Sequence, residues 1–108
     1  MSGRFGLSEQ TIEQIIEVLA RHSEVRQAVI YGSRALGTQK DGSDIDLTLF
    51  GDGLDFQRMA RIRLELEDLP VPFIIDVSAH QDIDHQALLD HIARVGQLFY
   101  QAETGDRT

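Results

Sequence analysis

Two aspartates separated by one residue, Asp44 and Asp46, lie inside an otherwise apolar segment of the chain. Alternate side chains of a strand point to the same side of a sheet, so both carboxylates are predicted to share one face. Their Cα atoms would be about 6.6 Å apart. Carboxylates at this spacing can converge on a metal ion, and ligands that are all oxygen favour Mg²⁺ or Mn²⁺. The alternative is a solvated strand face whose charges discourage pairing with another chain.

A second candidate is the dipeptide Gly32-Ser33, which ten residues separate from Asp44. A glycine after a buried strand lets a ligand approach the backbone, and the N–H groups that follow can bind phosphate. Ser33 would add the positive end of a helix dipole if it begins a short helix, and Arg34 could supply a fixed positive charge. The alternative is an ordinary strand-to-helix turn. The segment is not a P-loop, because it lacks the Lys and Ser or Thr that this motif requires.

Apolar residues at helical spacing predict three amphipathic helices, and short apolar runs bounded by glycine or proline predict four strands. The helices are predicted over 9–22, about 54–69 and 88–95, with Gly96 as a helix-stop glycine, and the strands over 27–31, 44–50, 73–78 and 97–100. These elements predict an α/β (α+β) fold in which helices pack on a small mixed sheet. We expect a single domain over residues 1–108, with a polar tail over 101–108.

Asp76 lies in the third predicted strand, thirty residues beyond Asp46. Strand alternation places Asp76 opposite the apolar side chains that we assign to the core. If this strand neighbours the strand of Asp46, a strand spacing of about 4.8 Å brings the two carboxylates within reach of the same ions. Four histidines carry less information: His80 is expected to be a solvated loop residue, and no role is assigned to His22, His85 and His91.

The chain has 108 residues, with 18 acidic and 10 basic side chains and a formal net charge of −8. Proteins that bind nucleic acid directly usually present a basic surface, so this balance predicts no such binding and favours a basic protein partner. The absence of cysteine excludes disulfides and thiolate metal sites. No signal-like segment and no apolar run of about 18 residues is present, which predicts a cytoplasmic location without membrane association.

Together these motifs resemble the signature of the DNA polymerase β-like nucleotidyltransferase superfamily. The segments that carry the likeness are YGSRALG, SDIDL, IIDV and GQLFY, and they extend over most of the chain. The likeness is strongest to the minimal nucleotidyltransferases, or MNT proteins, which pair with HEPN-domain proteins. Leu36 departs from the pattern, since many relatives have a basic residue there. This departure puts in question one phosphate contact, but not the metal site.

The resemblance implies a role for each candidate residue. Asp44 and Asp46 would hold two Mg²⁺ ions, or Mn²⁺, that bridge the phosphates of a nucleotide. Asp76 would hold one of these ions and help to deprotonate or orient the attacking hydroxyl. Ser33 and the backbone of Gly32-Ser33 would bind the terminal phosphates of ATP or another nucleoside triphosphate. Catalysis would depend on positioning and charge neutralisation, and the products would be a nucleotidylated acceptor and pyrophosphate.

The predicted elements leave no residues for a second domain that would bind an acceptor, so the acceptor is expected to be a separate molecule. The resemblance implies a HEPN toxin, a ribonuclease that its MNT antitoxin neutralises by complex formation, by AMP addition, or by both. One alternative is a non-catalytic antitoxin with a vestigial site. Another is transfer to a small molecule, as in aminoglycoside nucleotidyltransferases, although the missing second domain disfavours it. The presence of the turn together with all three aspartates favours catalysis.

Overall fold

A computed structural model describes residues 3–103 of the chain. Its strands are β1 (Gly3–Arg4), β2 (Leu7–Ser8), β3 (Gln27–Tyr31), β4 (Ile45–Phe50), β5 (Ile75–Ala79) and β6 (Gln97–Gln101). Its helices are α1 (Glu9–Ala20), α2 (Ser33–Leu36), α3 (Phe56–Glu67) and α4 (Gln86–Val95), and a 3-10 turn covers His80–Asp82. The predicted α/β (α+β) fold is confirmed. Of the predicted polar tail, Gln101 belongs to β6, and residues 104–108 lie outside the described part.

Strands β3 to β6 form one mixed sheet in the order β5-β4-β3-β6. β3 is antiparallel to both β4 and β6, whereas β4 and β5 are parallel. The strand over 27–31 is confirmed, but β5 begins at Ile75 rather than at the predicted Phe73. Phe73 packs instead against the Arg34 guanidinium, whose Cζ lies 4.8 Å from the ring centroid. The chain therefore enters the sheet two residues later than the apolar pattern indicates.

Helices α1 and α3 form the main core with one face of this sheet. The Ser8 hydroxyl caps α1 by accepting the Thr11 N–H at 3.1 Å. The Asp55 carboxylate caps α3 by accepting the Arg58 N–H at 2.8 Å, and this cap explains why the helix begins later than predicted. The core takes buried side chains from both helices and from β3 and β4, among them Ile15, Leu19, Ile30, Leu47, Leu49, Ile62 and Leu66. No helix within residues 3–103 is both long enough and apolar enough to cross a membrane.

Gly96 ends α4 as predicted, but without the left-handed conformation of a typical helix-stop glycine. Its φ of −61° and ψ of 143° are open to any residue. Glycine is needed for space, because a Cβ atom would lie 2.5 Å from the Ile92 carbonyl oxygen and 2.7 Å from Val29 Cγ1. This close contact sets the distance between α4 and β3.

The short antiparallel pair of β1 and β2 was not predicted, since two-residue strands show no periodicity. Its turn contains Phe5, a non-glycine residue with a positive φ of 60°. The Phe5 ring lies 6.0 Å from that of Phe99, which is buried in the core. The hairpin is thus attached to the rest of the fold by an aromatic contact.

Candidate active site

The register of two parallel strands places Asp46 opposite Asp76. The two residues are Cα partners in the β4–β5 ladder, so these strands are neighbours, which is the condition on which the expectation for Asp76 depended. Neighbouring strands lie about 4.8 Å apart, and paired residues point to the same side of a sheet. Asp44 directly precedes β4 and is exposed, as is Asp76, whereas Asp46 is half-buried. The sheet therefore presents all three predicted aspartates at one end.

The negative charges of these aspartates repel one another. Burial is the largest effect that raises the pKa of Asp46 above its ordinary value, and the charges of Asp76 and Asp44 raise it further. Within the described residues, no group of three or more His, Cys, Asp or Glu side chains is arranged to hold a metal ion by itself. The oxygen donors still fit Mg²⁺, because this ion is usually held by one or two carboxylates together with substrate phosphates.

Gly32 connects β3 to α2 and lies directly against Asp46. Its φ of 76° and ψ of −156° belong to a region that glycine adopts readily. A Cβ atom at this position would lie 2.6 Å from Asp46 Oδ2. The Gly32 carbonyl accepts the N–H groups of Ala35 at 3.1 Å and Leu36 at 3.2 Å, and α2 begins there. The turn and the half-buried carboxylate thus form one continuous surface.

His91, to which the sequence patterns assign no role, extends from α4 to this turn. Its Nε2 accepts the Gly32 N–H at 3.1 Å. The imidazole also lies edge-on to the Tyr31 ring, with centroids 6.1 Å apart. The sequence did contain a signal for His91. Position 91 is three residues after Leu88 and four before Val95, which places it on the side of the helix that faces the sheet.

Tyr31 also belongs to this cluster, because it is the antiparallel partner of Asp46. Burial, and then the charges of Asp46 and Asp76, raise the pKa of the phenol above its ordinary value, while the Ser78 hydroxyl lowers it. The phenol is therefore neutral near pH 7 and can act as a hydrogen-bond donor. The sequence signals for Tyr31 were its strand position directly before Gly32 and its place at the start of the YGSRALG segment.

Arg34 occupies a different place from the one expected for a phosphate ligand. Its side chain is only 3% exposed. The guanidinium donates from Nη1 to the Phe5 carbonyl at 2.9 Å, and from Nη2 and Nε to the Ser43 carbonyl at 2.8 and 3.2 Å. These bonds join the β1–β2 hairpin to the loop that carries Asp44. Arg34 therefore supports the site from behind rather than facing it.

The same sheet face is closed beyond the carboxylates. Thr48, two residues after Asp46 on the same strand and therefore on the same face, is fully buried and makes long contacts of 3.4 and 3.5 Å with Ser78. His80 is half-buried rather than solvated, because its ring stacks on Phe50 with centroids 4.3 Å apart. The accessible part of this face is thus the end that bears the aspartates.

His22 has a structural role away from the site. It is 5% exposed and accepts from Arg58 through Nδ1 at 3.2 Å, while Nε2 donates to Glu65 at 2.9 Å. The bond from His22 is the main reason why the pKa of Glu65 is lowered. This network joins α3 to the end of α1.

A mixed sheet with paired carboxylates beside a glycine turn defines an α/β protein suited to phosphoryl-group chemistry. The family model described as Polymerase beta, Nucleotidyltransferase matches residues 13–104, and the chain belongs to this family. A relative from Methanocaldococcus jannaschii, provisionally assigned as a protein adenylyltransferase, is 38% identical over 80 residues, which are 73% of this chain and 83% of the relative. The resemblance to the DNA polymerase β-like superfamily is confirmed.

Solved structures of similar fold include two toxin–antitoxin complexes. One, a complex with AMP-PNP, matches with a TM-score of 0.67 and 18% identity over 90% of this chain and 76% of the other. The second contains a tri-AMPylated HEPN toxin of Shewanella oneidensis with its MNT antitoxin. It matches with a TM-score of 0.66 and 14% identity over 89% of this chain and 74% of the other. At these identities the likeness establishes a shared fold.

Proposed function

We propose that this protein transfers AMP from ATP to a side chain of a partner protein, with Mg²⁺ or Mn²⁺ as the required ion. The observation that carries the proposal is the pairing of Asp46 with Asp76 directly beside the Gly32 turn. Nucleotidyl transfer needs both carboxylate oxygens for cations and a turn that phosphate can approach. The family supports the reaction class, and the assignment of the Methanocaldococcus jannaschii relative supports a protein acceptor.

In the proposed reaction an acceptor hydroxyl oxygen forms a bond to the α-phosphorus, and the bond to the bridging oxygen of the leaving pyrophosphate breaks. Asp76 accepts the hydroxyl proton, because its exposed carboxylate is open to an incoming acceptor. Asp44 and Asp46 would hold the divalent cation, which would neutralise phosphate charge. Ser33 would bind the terminal phosphates. The Gly32 N–H does not take part, because it is already donated to His91.

We propose a HEPN-domain toxin as the partner and acceptor. The similar fold of an MNT antitoxin in complex with an AMPylated HEPN toxin supports this choice. The net charge of −8 adds the expectation that the contact surface of the partner is basic, because an acidic surface attracts a basic one. A second candidate function is neutralisation by contact alone. It is favoured by one observation, that no complete three-ligand group is preformed within residues 3–103.

The test follows labelled AMP from ATP into the partner. The chain is co-expressed with the product of the neighbouring gene as the candidate partner, and we expect the two proteins to co-elute in size-exclusion chromatography. Asp76→Asn should lower transfer by a factor on the order of 10²–10⁴, because it removes the general base. It should keep part of the nucleotide affinity, whereas Asp44→Asn should lower both. Asp41→Asn, at an exposed position of the same loop, is the matched control.

The outcomes separate the two candidate functions. Full transfer by Asp76→Asn would contradict the assignment of the base. Neutralisation of the partner by the wild-type chain, without any incorporated label, would favour action by contact. Separate elution of the two proteins would count against the HEPN partner.

A further inference from the structure

We propose that His91 is a positioning residue for nucleotidyl transfer, and this inference rests on the proposed function. It holds the Gly32 peptide through the bond from the Gly32 N–H to Nε2, 3.1 Å long. Through that peptide it fixes the turn that presents Ser33 to phosphate relative to the carboxylate of Asp46. His91 acts on the substrate only through the turn.

The donor identifies the form of the imidazole that this bond requires. A backbone N–H can only donate, so Nε2 must carry a lone pair, and the proton of the neutral ring lies on Nδ1. The ring orientation is supported by its edge-on contact with Tyr31. His91 is half-buried, so solvent competes less for the bond than it would at an exposed position.

The spacing around Gly32 leaves little tolerance for movement. The turn lies so near Asp46 Oδ2 that a single added carbon would be 2.6 Å from it. A Gly32 peptide released from His91 can rotate, and rotation changes the distance between the phosphate turn and the carboxylate. A displacement of about 1 Å at a reacting group can lower the rate on the order of 10²-fold.

The polar contact of His91 can be separated from the packing of its helix. Ile92 is the buried side chain that anchors α4, and its contact is unchanged by a substitution at position 91. His91→Leu keeps a side chain of similar size but loses the hydrogen-bond acceptor. His91→Gln restores an acceptor oxygen at a similar distance from the backbone. His85→Leu, at an exposed position before the same helix, is the matched control.

The experiment measures amide hydrogen exchange of Gly32 by ¹⁵N NMR beside nucleotide affinity and AMP transfer. In His91→Leu we expect the Gly32 amide to exchange about tenfold faster, as the loss of one hydrogen bond predicts. We expect transfer to fall on the order of 10²-fold, with a smaller change in nucleotide affinity. His91→Gln should recover most of both quantities, and His85→Leu should change neither.

Two results would overturn the proposal. One is unchanged Gly32 exchange in His91→Leu, and the other is equal loss of transfer in His91→Leu and His91→Gln. If the leucine variant does not fold, the tautomer of His91 in the wild type, determined by ¹⁵N NMR, tests the proposal instead. A neutral ring with its proton on Nε2 would overturn it, because that tautomer cannot accept the Gly32 N–H. Exchange and tautomer do not depend on transfer. They therefore test His91 even if the wild-type chain proves to have no transferase activity.

Discussion

Replacing Arg34 should destabilise the whole fold, and only indirectly affect nucleotide binding. The guanidinium is 3% exposed and serves two backbone carbonyls with three donor atoms, while its face packs on Phe73. Lysine keeps the charge but cannot span the carbonyls of Phe5 and Ser43 with one ammonium group. Burial lowers the pKa of Arg34 from its ordinary value, yet arginine remains charged throughout the neutral pH range.

The magnitude follows from the hydrogen bonds and the ring contact that each substitution removes. A hydrogen bond to a charged group contributes about 1.5–3 kcal/mol, and a buried carbonyl left without a donor costs about 1–3 kcal/mol. A cation–π contact adds about 0.5–2 kcal/mol. Because such energies are not additive, we expect Arg34→Ala to lower the free energy of unfolding by about 4 kcal/mol and Arg34→Lys by about 2 kcal/mol. For a domain near 100 residues, 2 kcal/mol corresponds to a Tm lower by roughly 8–16 °C.

Urea unfolding followed by circular dichroism gives the free energy, and calorimetry with ATP and Mg²⁺ gives the nucleotide affinity. Arg94→Lys, at an exposed position on α4, is the matched control and should leave both unchanged. Nucleotide affinity should fall only modestly in Arg34→Lys, through looser placement of Asp44 after Ser43. Unchanged stability combined with a large loss of affinity would refute this reasoning and restore Arg34 as a direct phosphate ligand.

Two further substitutions test the site and the helix that closes it. Because the pKa of Asp46 is raised in the fold, ionisation of this group costs stability as pH rises above its ordinary value of 3.8. Asp46→Asn should therefore be more stable than the wild type above the raised pKa, and urea titrations should show this advantage vanishing below 3.8. Gly96→Ala should lower the free energy of unfolding by about 1–3 kcal/mol through overpacking against Ile92 and Val29. If Gly96→Ala leaves the free energy of unfolding unchanged in the same urea titrations, the contact with Ile92 and Val29 relaxes freely and the overpacking argument is wrong.

Sequence patterns predicted the parts of this fold that depend on periodicity. The residues from Gln27 to Tyr31 form a short, mostly apolar run that ends at a glycine, so this strand was predicted with its correct ends. The start of β5 was predicted two residues too early, because the apolar side chain of Phe73 packs on the Arg34 guanidinium and Phe73 is not part of the strand. An apolar side chain identifies a buried position, but not which group covers it.

In the candidate site too, sequence patterns predicted the local features but not the contacts between residues that are distant in the chain. The spacing of Asp44 and Asp46 is local, so its consequence could be derived from strand geometry alone. The partners of Arg34 and His91 are distant in the chain, at Phe5 and Gly32, and depend on how helices and hairpin pack. A charged residue beside a turn therefore indicated the right neighbourhood for Arg34, but not the direction of its side chain.

The sheet itself explains why like charges persist at this site. Tyr31 pairs with Asp46, and Asp46 pairs with Asp76, so the three side chains form one row across β3, β4 and β5. The carboxylates could separate if β4 slipped by one residue, but that slip would turn Leu47 and Leu49 out of the core. The two buried leucines together contribute about 3–6 kcal/mol, whereas two charges about 4 Å apart that remain partly solvated repel each other by about 1–4 kcal/mol. Core packing therefore holds the acidic row in place, and a bound cation is the change that would relieve its repulsion without disturbing the register.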